Sequence, residues 1–302
     1  MNFVDNKIPL KIQNLVKSYG PIEAVKGVSF EVKAGEIFGL LGPNGAGKTS
    51  IISILTTLEE PTSGQALIFG TDVTKQPMIT KRNIGVVHQE VINSGFFDVE
   101  EILEFQSGYY GLSKNTERIH YLLNKLGLFE HRRKKVKQLS GGMKRRLMIG
   151  KALVHNPKFL LLDEPTAGVD ITLRETLWKF VLELQKEGLS ILLTTHYLEE
   201  AEQLCQRVGI INYGRLECVE PTQYVIDKFT QKKIILQLRK PRVLTSRYLQ
   251  SSEHNNFTFR VPMEKGLGDL LQELEISSQE INDVKIVEGT LEEAFIAVLA
   301  NK

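Results

Sequence analysis

Residues Gly42-Pro43-Asn44-Gly45-Ala46-Gly47-Lys48-Thr49 fit the pattern G-x-x-x-x-G-K-[ST], which binds phosphate. Glycines let successive backbone N–H groups turn inward around phosphate oxygens, with a helix N-terminus behind them. Lys48 is placed to reach the β- and γ-phosphates of a nucleotide, and Thr49 to offer its hydroxyl to Mg²⁺. Asp163 closes the apolar run Phe159-Leu160-Leu161-Leu162 and stands 115 residues after Lys48. An apolar strand ending in a carboxylate is how a phosphate-loop enzyme holds Mg²⁺, so Asp163 is the expected ligand. Glu164, the next residue, is placed to orient and polarise an attacking water.

A third pattern, Leu139-Ser140-Gly141-Gly142-Met143, has its serine 23 residues before Asp163 and opens a helical run bearing Lys144, Arg145 and Arg146. A hydroxyl and bare backbone N–H groups at a helix start make a second anion site. The same residues also read as a glycine-rich helix cap with a basic first turn. One nucleotide has no use for two phosphate cradles so far apart in sequence. A head-to-tail dimer resolves this, because the second cradle then closes over a nucleotide held by the other subunit.

The elements that must position these groups are legible in outline. Residues 10–16 and 28–32 alternate as half-buried strands do, and Ile37–Leu41 is a continuous apolar run that feeds Gly42. Residues 50–58 read as a helix, Pro61-Thr62-Ser63-Gly64 as a turn, and residues 66–69 and 84–88 as strands. From residue 99 to about 133 the apolar spacing (Ile102, Phe105; Leu122, Leu123, Leu126) is helical. Strands resume at Phe159–Asp163 and at residues 190–194 and 208–212. Strands alternating with helices predict a parallel sheet wrapped on both faces. Near Pro221 the character changes, with strands at 232–238, 257–261 and 284–287 and helices at 267–274 and 291–299.

Composition narrows the class. The chain has 302 residues, 42% hydrophobic and 25% charged, which excludes wholesale disorder. A net charge of +2 gives no argument for a nucleic-acid partner. No apolar stretch approaches the ~18 residues that cross a bilayer. Cys205 and Cys218 are too few for a disulfide framework and lack metal-ligand spacing. The expectation is a reduced, cytosolic chain with no secretory signal core.

Taken in this order, the three patterns resemble the ATP-binding subunits of ABC transporters over residues 8–230. The resemblance implies a P-loop NTPase cassette with a parallel-sheet α/β core, an antiparallel β subdomain and a helical subdomain at about 95–156. Residues 231–302 then form a small α+β appendage. It also implies roles for single residues. Gln89 matches the glutamine that senses Mg²⁺ and the attacking water, although His88 before it departs from the Phe or Pro frequent in relatives. His196 matches the switch histidine at the γ-phosphate, Asp170 the aspartate at the dimer seam, and Tyr19 the aromatic that stacks on adenine. The runs Asp163-Glu164-Pro165-Thr166-Ala167-Gly168-Val169-Asp170 and Thr194-Thr195-His196-Tyr197-Leu198-Glu199-Glu200-Ala201-Glu202 are similar to the ABC-2 exporter class, and Glu101-Ile102-Leu103-Glu104-Phe105-Gln106-Ser107-Gly108-Tyr109-Tyr110-Gly111 adds a likeness to its bacterial YadG-like group.

By that resemblance, two copies hydrolyse ATP with Mg²⁺ beneath a separate six-helix permease, on the cytoplasmic face of the inner membrane. The competing reading is a soluble ABC ATPase acting on ribosomes or DNA. One phosphate loop and one Leu-Ser-Gly-Gly-Met oppose the two-cassette translation type, and 115 residues leave no room for the coiled coil of the DNA-repair type. The basic run His131-Arg132-Arg133-Lys134-Lys135 has no interleaved aromatics and reads as a solvated loop. A nucleotide-binding module without catalysis is opposed by Glu164 and His196.

Overall fold

Three strands, each built around a continuous apolar run, are buried along their whole length: Ile37–Leu41, Phe159–Asp163 and Ser190–Thr195. Side chains alternate between the two faces of a sheet, so burial without alternation requires both faces to be covered. A computed structural model describes residues 8–88, 95–166 and 171–300 of the chain.

Strands β1 (Leu10–Tyr19) and β2 (Ile22–Val32) form a hairpin, and β3 (Ile37–Leu41) leads through the glycine loop into α1 (Lys48–Leu55). Next come β4 (Ser63–Ile68), β5 (Thr71–Asp72), α2 (Pro77–Asn83) and β6 (Ile84–Val87). The helices α3 (Val99–Tyr109), α4 (Thr116–Lys125) and α5 (Gly141–Leu153) follow. The chain then returns through β7 (Phe159–Asp163), α6 (Ile171–Lys186), β8 (Ser190–Thr195), α7 (Leu198–Leu204), β9 (Arg207–Asn212) and β10 (Arg215–Pro221).

Two sheets organise this part. The order β2-β1-β4-β5 is antiparallel throughout. The second sheet has the order β10-β9-β3-β8-β7-β6, with β9, β3, β8, β7 and β6 all parallel. The two-residue turn Tyr213-Gly214, both at positive φ, reverses the chain from β9 into β10. Leu10, Val28 and Phe30 share one buried cluster with Phe38, Ile51 and Leu161. Asp98 and Glu101 form a capping box that starts α3. A Cβ at Gly150 of α5 would stand 3.1 and 3.4 Å from Leu126 and Leu103, so the bare glycine permits close helix packing.

The chain divides into two compact units, Met1–Val219 and Glu220–Lys302. The division therefore falls ahead of the 230/231 expected from sequence. The cause is α8 (Thr222–Phe229), which packs against α10 (Leu291–Ala300) of the second unit. That unit also holds β11 (Gln231–Leu238), β12 (Leu249–Glu253), β13 (Asn256–Pro262), α9 (Leu267–Glu273) and β14 (Ile281–Val287). Its sheet order is β12-β13-β11-β14, antiparallel, over a core of Ile234, Leu236, Phe257, Phe259 and Leu270.

Several boundaries differ from the sequence reading, each for a local reason. Helix α1 starts at Lys48, because Gly47 at φ 109° caps it, and ends at Leu55, with Thr57 at φ 59°. Strand β2 begins at Ile22, six residues early, since of residues 22–27 only Val25 is buried and the sequence there carries no alternation. The polar β5 and β12 likewise left no apolar pattern to read.

Candidate active site

The parallel strands set the site, because β3, β8 and β7 are neighbours and all deliver their C-terminal ends to one place. After β3, the glycine loop turns tightly against the strands beside it. A Cβ at Gly42 would lie 2.3 Å from the Ile211 carbonyl oxygen, and one at Gly47 would lie 2.5 Å from that of Ala24. Gly45 and Gly47 both hold positive φ, which glycine adopts without steric cost. Lys48 is buried, and its Nζ donates to the carbonyls of Gly42 at 2.6 Å and Pro43 at 3.0 Å. Burial lowers the pKa of this ammonium, while the Glu164 and Asp163 carboxylates oppose that shift.

The Asp163 carboxylate closes β7 and accepts a hydrogen bond from the Thr194 hydroxyl of β8. Glu164 stands in the left-handed region at φ 48°, and its backbone N–H donates to Thr194 O at 2.9 Å. Its Oε1 lies 3.0 Å from Nδ1 of His196, just beyond β8. A left-handed glutamate is rare and persists where its surroundings over-determine it. A cleft of about 510 Å³ is lined by Asn44, Gly45, Lys48, Thr49, Glu164 and His196, among others. Loop, lysine, carboxylate and histidine therefore meet, as phosphate transfer to water requires.

Other expected residues stand apart from that cleft. Ser140, Gly141 and Gly142 begin α5, where the Ser140 hydroxyl accepts from the Met143 N–H at 3.3 Å. They are not among the described residues that line the cleft. Tyr19 ends β1 with its ring partly exposed and the Lys17 ammonium 4.8 Å from its centroid, and it too is outside the lining. Gln89 and Asp170 lie outside the described residues.

Arg145, read from sequence as part of a basic first turn, does not face solvent. It is 2% exposed and spends its guanidinium on four backbone carbonyls. Nε donates to Pro165 O at 2.6 Å, Nη1 to His88 O at 2.6 Å, and Nη2 to Glu164 O at 2.6 Å and Asp163 O at 3.2 Å. Arg146 donates to Leu126 O at 2.7 Å. The helix that starts at Ser140 is thus bonded to the backbone carrying both acids and to the strand end before Gln89. A sequence signal existed, because Ile149 and Ala152 sit four and seven residues on and mark the inward face. Glu200 also escaped notice. It is fully buried, accepts from Trp178 Nε1 at 3.1 Å, and has its pKa raised by burial. In the basic run, Arg133 and Arg132 reach the buried Glu100 at 3.3 and 3.9 Å.

Residues 25–167 match the family described as ABC transporter. The chain is 33% identical over 302 residues to the daunorubicin/doxorubicin resistance ATP-binding protein DrrA of Streptomyces peucetius, covering 96% of this chain and 92% of that one. It is 41% identical over 209 residues to the linearmycin resistance ATP-binding protein LnrL of Bacillus subtilis, covering 68% and 67%. Among solved structures it is similar to an ATP-binding subunit of an ABC transporter, at TM-score 0.68 and 29% identity, over 73% of this chain and 92% of that one.

Proposed function

Because the chain belongs to the ABC transporter family, as one of its ATP-binding, ATP-hydrolysing subunits, we propose that it powers an ABC-2-type exporter. The observation that carries the catalytic part is the cleft in which Lys48, Glu164 and His196 meet while Ser140 stands elsewhere. Two copies closing head to tail bring each Ser140-Gly141-Gly142 helix start over the nucleotide held by the other. Glu164 takes a proton from the attacking water, and His196, 3.0 Å from that carboxylate, orients it. Tyr19 stacks on adenine, Gln89 reports on the water, and Asp170 lies at the seam between copies. Mg²⁺, bound with ATP, neutralises charge on the phosphates. Thr49, Asp163 and Gln89 are its proposed holders, a hard-oxygen set of the kind Mg²⁺ completes with phosphate and water.

No described helix is long and apolar enough to cross a membrane. Passage of cargo therefore falls to a separate permease, which holds this subunit at the cytoplasmic face. A groove of about 560 Å³ between α2, β6, α3 and α5 suits its cytoplasmic helix. Leu58, Met78 and Tyr109 border the groove at 69%, 68% and 84% exposure, and Lys81, Arg82 and Lys151 add positive charge. The docking helix accordingly carries an apolar face and carboxylates. The coupling surface also takes in residues 89–97, of which 89–94 lie outside the described residues.

The experiment is co-expression with a six-span membrane protein encoded beside this chain, followed by affinity capture. Wild type is expected to stay with the membrane protein. Met78→Asp combined with Tyr109→Asp is expected to release it while ATP affinity is unchanged. Retention on ribosomes or DNA, with hydrolysis stimulated by either, would overturn the exporter reading.

A further inference from the structure

Strand β14 is an open edge. Among the described residues nothing pairs with its outer side, and Ile286 there is 47% exposed. Such edges are normally blunted by bulges, prolines or charge, because they template pairing with another chain. The opposite edge, β12, is blunted by a register shift between Leu249 and Ser251. β14 has its own register shift at its start, between Ile281 and Asp283, but from there the stretch 283–287 pairs with β11 without a break, from Gln237↔Asp283 to Lys233↔Val287. The Val284 N–H donates to its neighbour's Asp283 Oδ1 at 2.9 Å, so it is not spent on β11 and points to the open side.

We propose that β14 pairs with β14 of a second copy, antiparallel, about a two-fold axis at Val284. The register follows from charge. A two-fold axis normal to the sheet keeps each side chain on its own face, so only residues of equal parity can oppose each other. Centring on Asp283 opposes two aspartates, and centring on Lys285 opposes two lysines. Centring on Val284 sets Asp283 of each copy against Lys285 of the other, twice. Neither charge has an ion pair within its own chain among the described residues.

The hydrogen bonds agree with this choice. The N–H and C=O of one residue point the same way in an antiparallel ladder, so Val284 exchanges both with its counterpart. Asp283 and Lys285 then fall in the flanking pair without backbone hydrogen bonds, where opposed side chains approach most closely. Pairing releases the Asp283 carboxylate from the Val284 N–H to meet the lysine. The contact needs no nucleotide, which separates it from closure over ATP.

The test uses the full chain without nucleotide, in sedimentation velocity over a concentration series. Wild type is expected to show a monomer–dimer equilibrium. Asp283→Lys and Lys285→Asp each place like charges across the axis, and each is expected to weaken the dimer about tenfold. An equimolar mixture of these two variants sets the lysines of one copy against the aspartates of the other, so dimerisation should return. The doubly exchanged chain, D283K with K285D, should also recover it. ATP affinity should stay constant throughout, as neither residue belongs to the nucleotide site. A chain that stays monomeric at about 100 μM overturns the proposal, whether or not its edge accepts a strand from another protein. So does dimerisation indifferent to the single changes, or a mixture that fails to recover.

Discussion

Replacing Glu164 with Gln is expected to slow ATP turnover by about 10²- to 10⁴-fold while ATP affinity stays within about threefold. The amide matches the carboxylate in shape, so the left-handed turn at φ 48° and the Thr194 O hydrogen bond to its backbone persist. What disappears is the carboxylate proposed to accept a proton from water. Lys48 keeps Asp163 as a neighbouring negative charge, so its ammonium still meets the phosphates. With ATP bound but not cleaved, the head-to-tail dimer should accumulate and elute early in size-exclusion chromatography. Adding Ser140→Arg to the same chain should abolish that ATP-dependent species, since the arginine occupies the second cradle. Phosphate release at the parent rate from E164Q would show that the base lies elsewhere.

Replacing Arg145 has the second-largest expected effect, and it acts on stability as well as turnover. Arg145→Met leaves the carbonyls of His88, Asp163, Glu164 and Pro165 without their shared donor in a buried site. Leaving one buried polar group unsatisfied costs about 1–3 kcal/mol, and relaxation around the methionine recovers part of it. A net loss of about 3–5 kcal/mol is expected, a large share of the 5–15 kcal/mol that typically holds a domain folded. Urea unfolding should report it as a lower midpoint with an unchanged slope. Arg145→Lys should fold better, yet one ammonium lacks the planar fork needed to reach carbonyls of four residues. The backbone under Glu164 then loosens. Turnover of the lysine variant should fall more than its ATP affinity, and parent-like values of midpoint and turnover together would remove Arg145 from the site.

How far the sequence discloses this arrangement depends on how each residue is buried. Lys48, Asp163 and Glu164 are legible because each follows a strand whose apolar run is buried on both faces, with no competing pattern. His196 is legible only through resemblance, for a histidine after a strand has many uses. Arg145 is obscured by its own chemistry. A basic residue beside Lys144 and Arg146 suggests solvent, and only the apolar residues at its helical spacing reveal the inward face. Glu200 is hidden in the same way. The first two residues of β2 and all of β12 but Leu249 are exposed, so hydrophobic alternation never records them. The division between units falls at the change of character near Pro221, ahead of the 230/231 boundary that the family resemblance implies, because helix α8 belongs with the second unit.

Strand order has a consequence for synthesis. The strand that leads into the glycine loop, β3, hydrogen-bonds on its two sides to β8 and β9, with Ile37 opposite Ile191 and Phe38 opposite Arg207. The two partners are made 154 and 169 residues later. Contacts so distant along the chain are slow to form, and an incomplete sheet exposes its apolar strands in the meantime. A nascent chain that has already emitted its lysine and both acids still lacks the strand that stands between them. Nucleotide hydrolysis therefore begins only when β8 has inserted, and a fragment ending before residue 190 gathers every phosphate-binding residue of the loop without the frame to use them.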